Sequence, residues 1–567
     1  MTDHSTLVRT LARTGGRILV DQLVLQGTDR IFTVPGESFL AVLDALHDTP
    51  QIQTVVCRQE GGVTFMACAD GTLTNRPGVA FVTRGPGATN ASIGVHVAMQ
   101  DSQPMILFIG DVDRGMRDRE GFQEVDFTAM FSPLCKWATR IDDAARIPEY
   151  VARAFSVAMS GRPGPVVIAL PEDMLCDVVE TMDRPRVDAI WQAPSASRLA
   201  ALEQLLHDAK APVAIIGGAG WTAQAGRDFQ AFAEKWGIPV AGAFRRQDAI
   251  ANSSAVWAGN LGYGPNPKLT QRIKQADLII AVGARLGEAT TDSYTLITPD
   301  HPEQKLVHVH PDPDEFNHVY RTDLSLCCGM EQFAAHALAS IVPDQRRRML
   351  VAEPLPFVSG AAAHADWLEW NTPAPFDTPV DLGLCVAAMR KILPVDTIIC
   401  NGAGNFSGWW HRYWPYEGQG TQLAPTAGAM GYGPPAAVAA CLRRPDACVV
   451  ALAGDGDFMM NGQELATAIQ YGCDLVLLVI DNGVYGTIRM HQEREYPNRV
   501  SGTTLHNPDF AALARAYGGW AETVEATADF APALARAMTQ KGVRMLHLKT
   551  DPDRISAGTT ITALRNR

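Results

Sequence analysis

Short apolar runs, many of them β-branched, recur along this chain with polar stretches between them. The clearest are Gly78–Thr83, Met105–Ile109, Pro165–Leu170, Val213–Ile216, Leu278–Val282, Leu306–His310, Thr397–Cys400, Val449–Ala453, Leu475–Ile480 and Met545–Lys549. Most are nearly continuous rather than alternating, which is how strands covered on both faces of a parallel sheet read. Stretches with helical spacing, such as Gly462–Tyr471 and Asp509–Tyr517, lie between them. The alternation is the βαβ arrangement of α/β domains. Two segments interrupt it. Thr181–Ser197 is rich in Asp, Arg, Pro and Ser, and Ala352–Pro379 is rich in Pro and Ala without strong periodicity. They predict three consecutive doubly wound α/β domains with mainly parallel sheets, at about 1–185, 195–345 and 375–567.

Length supports the division, because 567 residues exceed the roughly 250–300 at which a single core stops growing. With 47% hydrophobic and 19% charged residues, the composition is that of a globular protein and excludes disorder as the main state. The formal charge of −13 makes nucleic acid a poor partner, since that needs basic surface. Eleven cysteines contain no CxxC pair, and only Cys327 and Cys328 are adjacent. Neither a disulfide framework nor metal-ligand spacing results, so a reducing cytoplasm is the expected location. Met1–Gly16 lacks the apolar stretch of a signal peptide. Runs such as Leu475–Ile480 fall far short of the roughly 20 residues of a membrane helix, so no membrane partner is expected.

The strongest chemical signal is Gly454-Asp455-Gly456, directly after the strand ending at Ala453. Asn482 follows the next strand, in Asp481-Asn482-Gly483. Open α/β sheets bind ligands at the carboxyl ends of their strands. A carboxylate and an amide oxygen there suit Mg²⁺, which takes oxygen ligands and shares them with phosphates. The glycines let backbone approach a diphosphate.

With these residues the segment resembles the diphosphate-binding motif of thiamine diphosphate (ThDP) enzymes. The resemblance extends along most of the chain, most closely to the acetohydroxyacid (acetolactate) synthase-like group. It implies that Asp455, Asn482 and the carbonyl of Val484 hold Mg²⁺, and that Gly454, Gly456, Asp457 and Tyr485 also belong to the cofactor site. By composition Glu60, in Arg58-Gln59-Glu60-Gly61-Gly62, is a helix start with a favourable acid. The resemblance instead makes it the glutamate that hydrogen-bonds N1′ of the aminopyrimidine and promotes formation of the nucleophilic ylid. Arg84-Gly85-Pro86-Gly87-Ala88-Thr89-Asn90 looks like the loop near the aminopyrimidine, with Asn90 as a cofactor contact and Arg84 where a small residue is usual. That charge meets an anionic substrate or points to solvent, and solvent is the expectation. Gln123, in Phe122-Gln123-Glu124, matches the glutamine that faces the reacting centre from a partner subunit. Gly428 and Met430 match the stretch that props the bent cofactor, and Asn405 lies in a diphosphate-contacting loop whose usual Gln-His-Gln reads Asn-Phe-Ser.

Three departures bear on substrate and cofactor. Glu37, in Pro35-Gly36-Glu37-Ser38, stands where pyruvate decarboxylase-like relatives carry an acid, and is either a proton-transfer group or part of a helix cap. His491 replaces a pocket-shaping tryptophan, so it either contacts the acceptor or faces solvent. In the middle domain Gly217-Gly218-Ala219-Gly220 and Gly283-Ala284-Arg285 are compatible with FAD, but His308-Val309-His310-Pro311-Asp312 departs from the usual strand and weighs against it. The resemblance implies a carboligase acting on a 2-oxo acid donor and a carbonyl acceptor, in a homodimer or homotetramer. A non-coupling decarboxylase or lyase, a flavin-linked oxidase and a non-catalytic ThDP-binding subunit remain as alternatives.

Overall fold

The computed structural model describes residues 12–300, 302–345, 347 and 358–566. Most of the stretch read for a signal peptide, and residues 352–357 of the second interrupting segment, lie outside these described residues. A short pair, β1 (Ala12–Thr14) with β8 (Val178–Glu180), runs antiparallel. The first large sheet comprises β2 (Arg30–Thr33), β3 (Gln53–Val56), β4 (Gly78–Val82), β5 (Met105–Asp111), β6 (Trp137–Arg140) and β7 (Pro165–Pro171), in the order β3-β2-β4-β5-β7-β6. The second comprises β9 (Pro212–Ile216), β10 (Val240–Gly242), β11 (Trp257–Asn260), β12 (Leu278–Val282), β13 (Lys305–His310) and β14 (Leu324–Cys327), in the order β11-β10-β9-β12-β13-β14. The third comprises β15 (Ile398–Asn401), β16 (Gln422–Leu423), β17 (Val449–Gly454), β18 (Leu475–Asp481), β19 (Trp520–Val524) and β20 (Val543–Lys549), in the order β16-β15-β17-β18-β20-β19. Every pairing within the three sheets is parallel.

The fold class is therefore as expected: three six-stranded parallel sheets, each with an α/β connection pattern. All ten apolar runs form strands, and β4, β5, β7, β9, β12, β17 and β18 are buried along their whole length. In each sheet the chain builds outward on one side, then crosses to the other. The reversal falls between β2 and β4, between β9 and β12, and between β15 and β17. Such switch points open a crevice at the carboxyl ends of the strands.

Local sequence explains the helices that flank these crevices. The Glu60–Thr74 helix starts where the Gln59 side chain accepts from the Gly62 N–H at 3.1 Å, and ends at Asn75 in left-handed geometry. It packs on the Gly85–Asp101 helix, where a Cβ at Gly94 would stand 2.2 Å from Thr64 Oγ1. One expectation is corrected. The Ala352–Pro379 segment contains a helix, Gly360–Trp370, which buries Gly360, Ala363 and Trp367 on one face. Its alanine-rich sequence hides a stripe narrow enough to pass as aperiodic.

Contacts divide the chain into two compact units. The first holds the residues up to Ile190 together with Val438–Arg443 and Asn461–Tyr471, and the second holds the rest. The first sheet thus lies in one unit, and the second and third sheets lie in the other.

Candidate active site

At the third sheet's switch point, Asp455 follows β17 and Asn482 follows β18, its neighbour in the sheet. Asp455 Oδ1 accepts from the Gly456 N–H at 2.9 Å, and Oδ2 from the Gly483 N–H and Asn507 Nδ2, both at 2.8 Å. Asn482 Oδ1 accepts from the Val484 N–H at 3.1 Å, which folds the turn so that Val484 follows closely. Burial, with the nearby Asp481 charge, raises the Asp455 carboxyl above its ordinary value. Burial acts on Asp481 in the same sense. It is outweighed there by bonds from His547 Nε2 at 2.8 Å, Lys549 Nζ at 2.6 Å and Asn507 Nδ2 at 2.8 Å, which hold that carboxyl well below the usual range. Asn507 bridges the two carboxylates with one amide, and no spacing in the sequence marks it.

These groups fit a hard dication. A carboxylate, an amide oxygen and the Val484 carbonyl form an oxygen-only set, with no thiol or imidazole among the three. A second acid lies close by in sequence. Asp457 is buried, accepts from the Gly431 N–H at 2.6 Å, and lies where a Cβ on Gly402 would stand 2.1 Å from its Oδ1. Burial pushes this carboxyl up to about 7. A Cβ at Gly456 would stand 2.5 Å from the Tyr485 ring and one at Gly454 would stand 3.0 Å from Phe406, so a side chain at either position would have to displace an aromatic ring. Gly428 has φ +70° and open space where a side chain would go, beside the partly exposed Met430.

The first sheet's carboxyl edge carries the other set. Glu60 Oε2 accepts from Asn90 Nδ2 at 3.0 Å, while Oε1 faces Gly87, where a Cβ would stand 3.5 Å away. One oxygen is fixed and the other looks toward a position kept bare. The helix start is held by Glu464, a fully buried carboxylate whose Oε1 accepts from the Arg58 and Gln59 N–H groups, each at 3.0 Å. Sequence reasoning missed Glu464, because it lies far along the chain in the returning Asn461–Tyr471 segment. Gln123 has φ +64° and its backbone packs against Gly85, so it belongs to the same edge.

Comparison with known proteins fits this division. Family models match in chain order: "Thiamine pyrophosphate enzyme, N-terminal TPP binding domain" over residues 13–130, the central domain over 199–337, and the C-terminal TPP binding domain over 402–548. An acetolactate synthase large subunit of Corynebacterium glutamicum is 30% identical, over 92% of this chain and 84% of the relative. That of Parasynechococcus marenigrum is 31% identical over 89% and 82%, and the isozyme 2 large subunit of Escherichia coli is 28% identical over 95% of each. The chain belongs to the thiamine pyrophosphate enzymes, in their acetolactate synthase-like branch.

Not every residue expected of a thiamine pyrophosphate enzyme sits as the sequence suggested. Arg84 does not point to solvent. It is 8% exposed, and its guanidinium donates to Glu37 Oε1 at 2.7 Å and Glu172 Oε2 at 3.0 Å. A buried cation needs such partners, and the acids that follow β2 and β7 supply them. Neither Glu37 nor Ser38 caps its helical turn; Ser38 Oγ pairs with Thr83 Oγ1 at 2.9 Å. Asn405 already uses its amide, donating to the Ile555 carbonyl at 3.1 Å and accepting from Thr487 Oγ1 at 2.9 Å. His491 is exposed on the Gly486–Glu495 helix. In the middle sheet the switch-point loops meet backbone to backbone. A Cβ on Gly218 would stand 2.0 Å from the Gly283 carbonyl, and one on Gly283 would meet Gly217 at 2.4 Å and Met330 at 2.8 Å. Trp221 Nε1 donates to the Gly217 carbonyl at 2.8 Å, and Arg285 pairs with Glu315 at 3.3 Å. That edge is packed by its own residues.

Proposed function

We propose that this chain is a ThDP-dependent carboligase, which decarboxylates a 2-oxo acid and joins the remaining fragment to a second carbonyl compound. The observation that carries the reading is the oxygen set at the ends of β17 and β18, in a chain similar along most of its length to proteins named acetolactate synthase. Asp455, Asn482 and the Val484 carbonyl hold Mg²⁺ and, through it, the diphosphate. Gly454, Gly456, Asp457 and Tyr485 shape the bed beside it, with Gly428 and Met430 flanking the ring system. Asn405 is a peripheral member, since its amide is already engaged. Bound ThDP supplies a carbon nucleophile and a sink for the electrons released on decarboxylation. Glu60 holds a proton against the aminopyrimidine with one oxygen, while Asn90 fixes the other. Gln123, a neutral amide, orients a substrate carbonyl without titrating, and His491, which a single chain leaves exposed, contacts the acceptor only in the assembled site.

The reading divides the chain at about 1–185, 195–345 and 375–567 into aminopyrimidine, middle and diphosphate domains. The middle domain is structural, and no step is routed through a flavin, in keeping with its self-packed edge. Glu60 and Asp455 belong to different compact units, and the reading brings them into one site between two copies of the chain, in a homodimer or homotetramer. Eleven free cysteines suit a reducing cytoplasm. Among the described residues no helix is long and apolar enough to cross a membrane.

The test is incubation with ThDP and Mg²⁺ against 2-oxo acids, alone and paired with aldehydes, with products read by mass spectrometry. A mass of donor plus acceptor minus carbon dioxide is expected. Free aldehyde alone would make the protein a decarboxylase. Bleaching of a yellow chromophore on adding substrate would make it an oxidase.

A further inference from the structure

Glu37, Arg84 and Glu172 follow β2, β4 and β7 and form a charged triad across the carboxyl edge of the first sheet. The Arg84 side chain is 10% exposed, against 62% for Glu37 and 38% for Glu172. Arg84 occupies the N-cap of the Gly85–Asp101 helix, where the macrodipole disfavours a cation. Its Nε is buried with no hydrogen-bond partner. This guanidinium is therefore in a costly place and depends on its two carboxylates. The triad is tied to the Glu60 site through the same loops. Thr83 contacts Ser38 on one side and closes on Gly87 on the other, and Gly87 faces Glu60.

We propose that Arg84 is a positioning residue that withholds Glu37 from proton donation and so steers the reaction toward coupling. The inference rests on the carboligase reading. After carbon dioxide leaves, the donor-derived carbon holds an electron pair with two outlets. In one, an acid's O–H bond breaks, a C–H bond forms, the acid becomes a carboxylate and an aldehyde departs. In the other, the pair forms a carbon–carbon bond to the acceptor, and the proton goes to the acceptor's oxygen. Glu37 is the more exposed acid of the triad and so the one open to the first outlet, yet its Oε1 already accepts a guanidinium N–H. Taking up a proton there would weaken the pair and leave a buried cation with a single carboxylate.

The experiment combines a binding-independent and a chemical readout. Thermal melts of the full chain without added cofactor compare R84Q, E37Q and the double variant. Product analysis with pyruvate, alone and with an added aldehyde, gives the ratio of free aldehyde to coupled product. The melts should be non-additive. R84Q should raise the ratio by about tenfold, inside the hundredfold or more that a positioned proton donor contributes. The double variant should return it to the parental value. E172Q leaves Arg84 to Glu37 alone and should lower the ratio; it also keeps the test decisive if R84Q does not fold. Additive melts, a ratio insensitive to both R84Q and E172Q, or one raised equally by R84Q with and without Glu37, would overturn the inference. A parent that forms no coupled product overturns the carboligase reading instead.

Discussion

The second and third sheets are both six-stranded and parallel and lie within one compact unit, yet their strand orders differ and their carboxyl edges are opposites. At the second, glycine loops close on each other and on Trp221 and Met330. At the third, the loops carry Asp455, Asp457 and Asn482 and leave open space at Gly428. A switch point is thus an opportunity for a ligand rather than a guarantee of one. What fills the crevice, backbone and indole or carboxylate and amide, decides whether the edge becomes a site or a joint.

The largest test of the contrast is to remove the oxygen set. Asp455→Ala should abolish Mg²⁺-dependent ThDP binding, a loss of at least about 100-fold in a fluorescence titration, because a first ligand should matter more than the outer-shell groups worth 10–100-fold. Its counterpart on the first sheet, Glu60→Gln, should lower turnover by about 100-fold or more while the melting temperature stays near the parent's. Asn507→Ala is expected to be milder, roughly 10–100-fold in metal affinity, because it unties the two carboxylates without removing either.

The contrast sharpens with two glycines at the same dihedral. Gly283 and Gly428 both have φ +70°, but only Gly283 is enclosed. Gly283→Ala should cost about 3 kcal/mol in denaturant unfolding, from strain plus collision. Gly428→Ala should cost about 1 kcal/mol, from the dihedral alone, and act on cofactor affinity.

The smallest effect is one of pH. Burial lowers His310 to about 4, with help from His308, and burial lowers His411 to about 3, with help from Arg245. Both are neutral in the folded chain, while their unfolded value is about 6.5. Their stabilisation is complete above that value and declines as pH falls toward the folded values. The loss is on the order of 1 kcal/mol per histidine at pH 5.5, read from melts across pH, with no matching gain on the alkaline side.

Much of this was legible in the sequence, and the misses share causes. Continuous apolar runs found the strands buried on both faces. The six edge strands, β3, β6, β11, β14, β16 and β19, escaped because an edge strand needs fewer apolar residues or is very short, as with Gln422–Leu423. β2 escaped as well because only Ile31 and Phe32 of its four residues are apolar, and β10 because it holds only three residues. Among site residues, Asp455 and Asn482 stood out because each sits directly after a legible strand. Asn507 and Glu464 did not, since each acts by reaching a carboxylate or a backbone N–H that only folding brings near. Arg84 was misread because a lone cation in a loop carries no hint of acids 47 residues before and 88 residues after it.

The Asn461–Tyr471 segment has a consequence for how the gene could be cut. It follows the short Asp455–Asn461 helix after β17, belongs to the first unit, and gives way to the second unit again before β18. Glu464 on that excursion receives the N–H groups at the start of the Glu60 helix. No single break in the reading frame separates the two units cleanly. A fragment ending near residue 190 would lack the acceptor that fixes its own key helix, and the remainder would keep a segment without the unit it belongs to. Inheritance of this architecture by shuffling one contiguous piece is therefore obstructed, and the halves are bound to travel together.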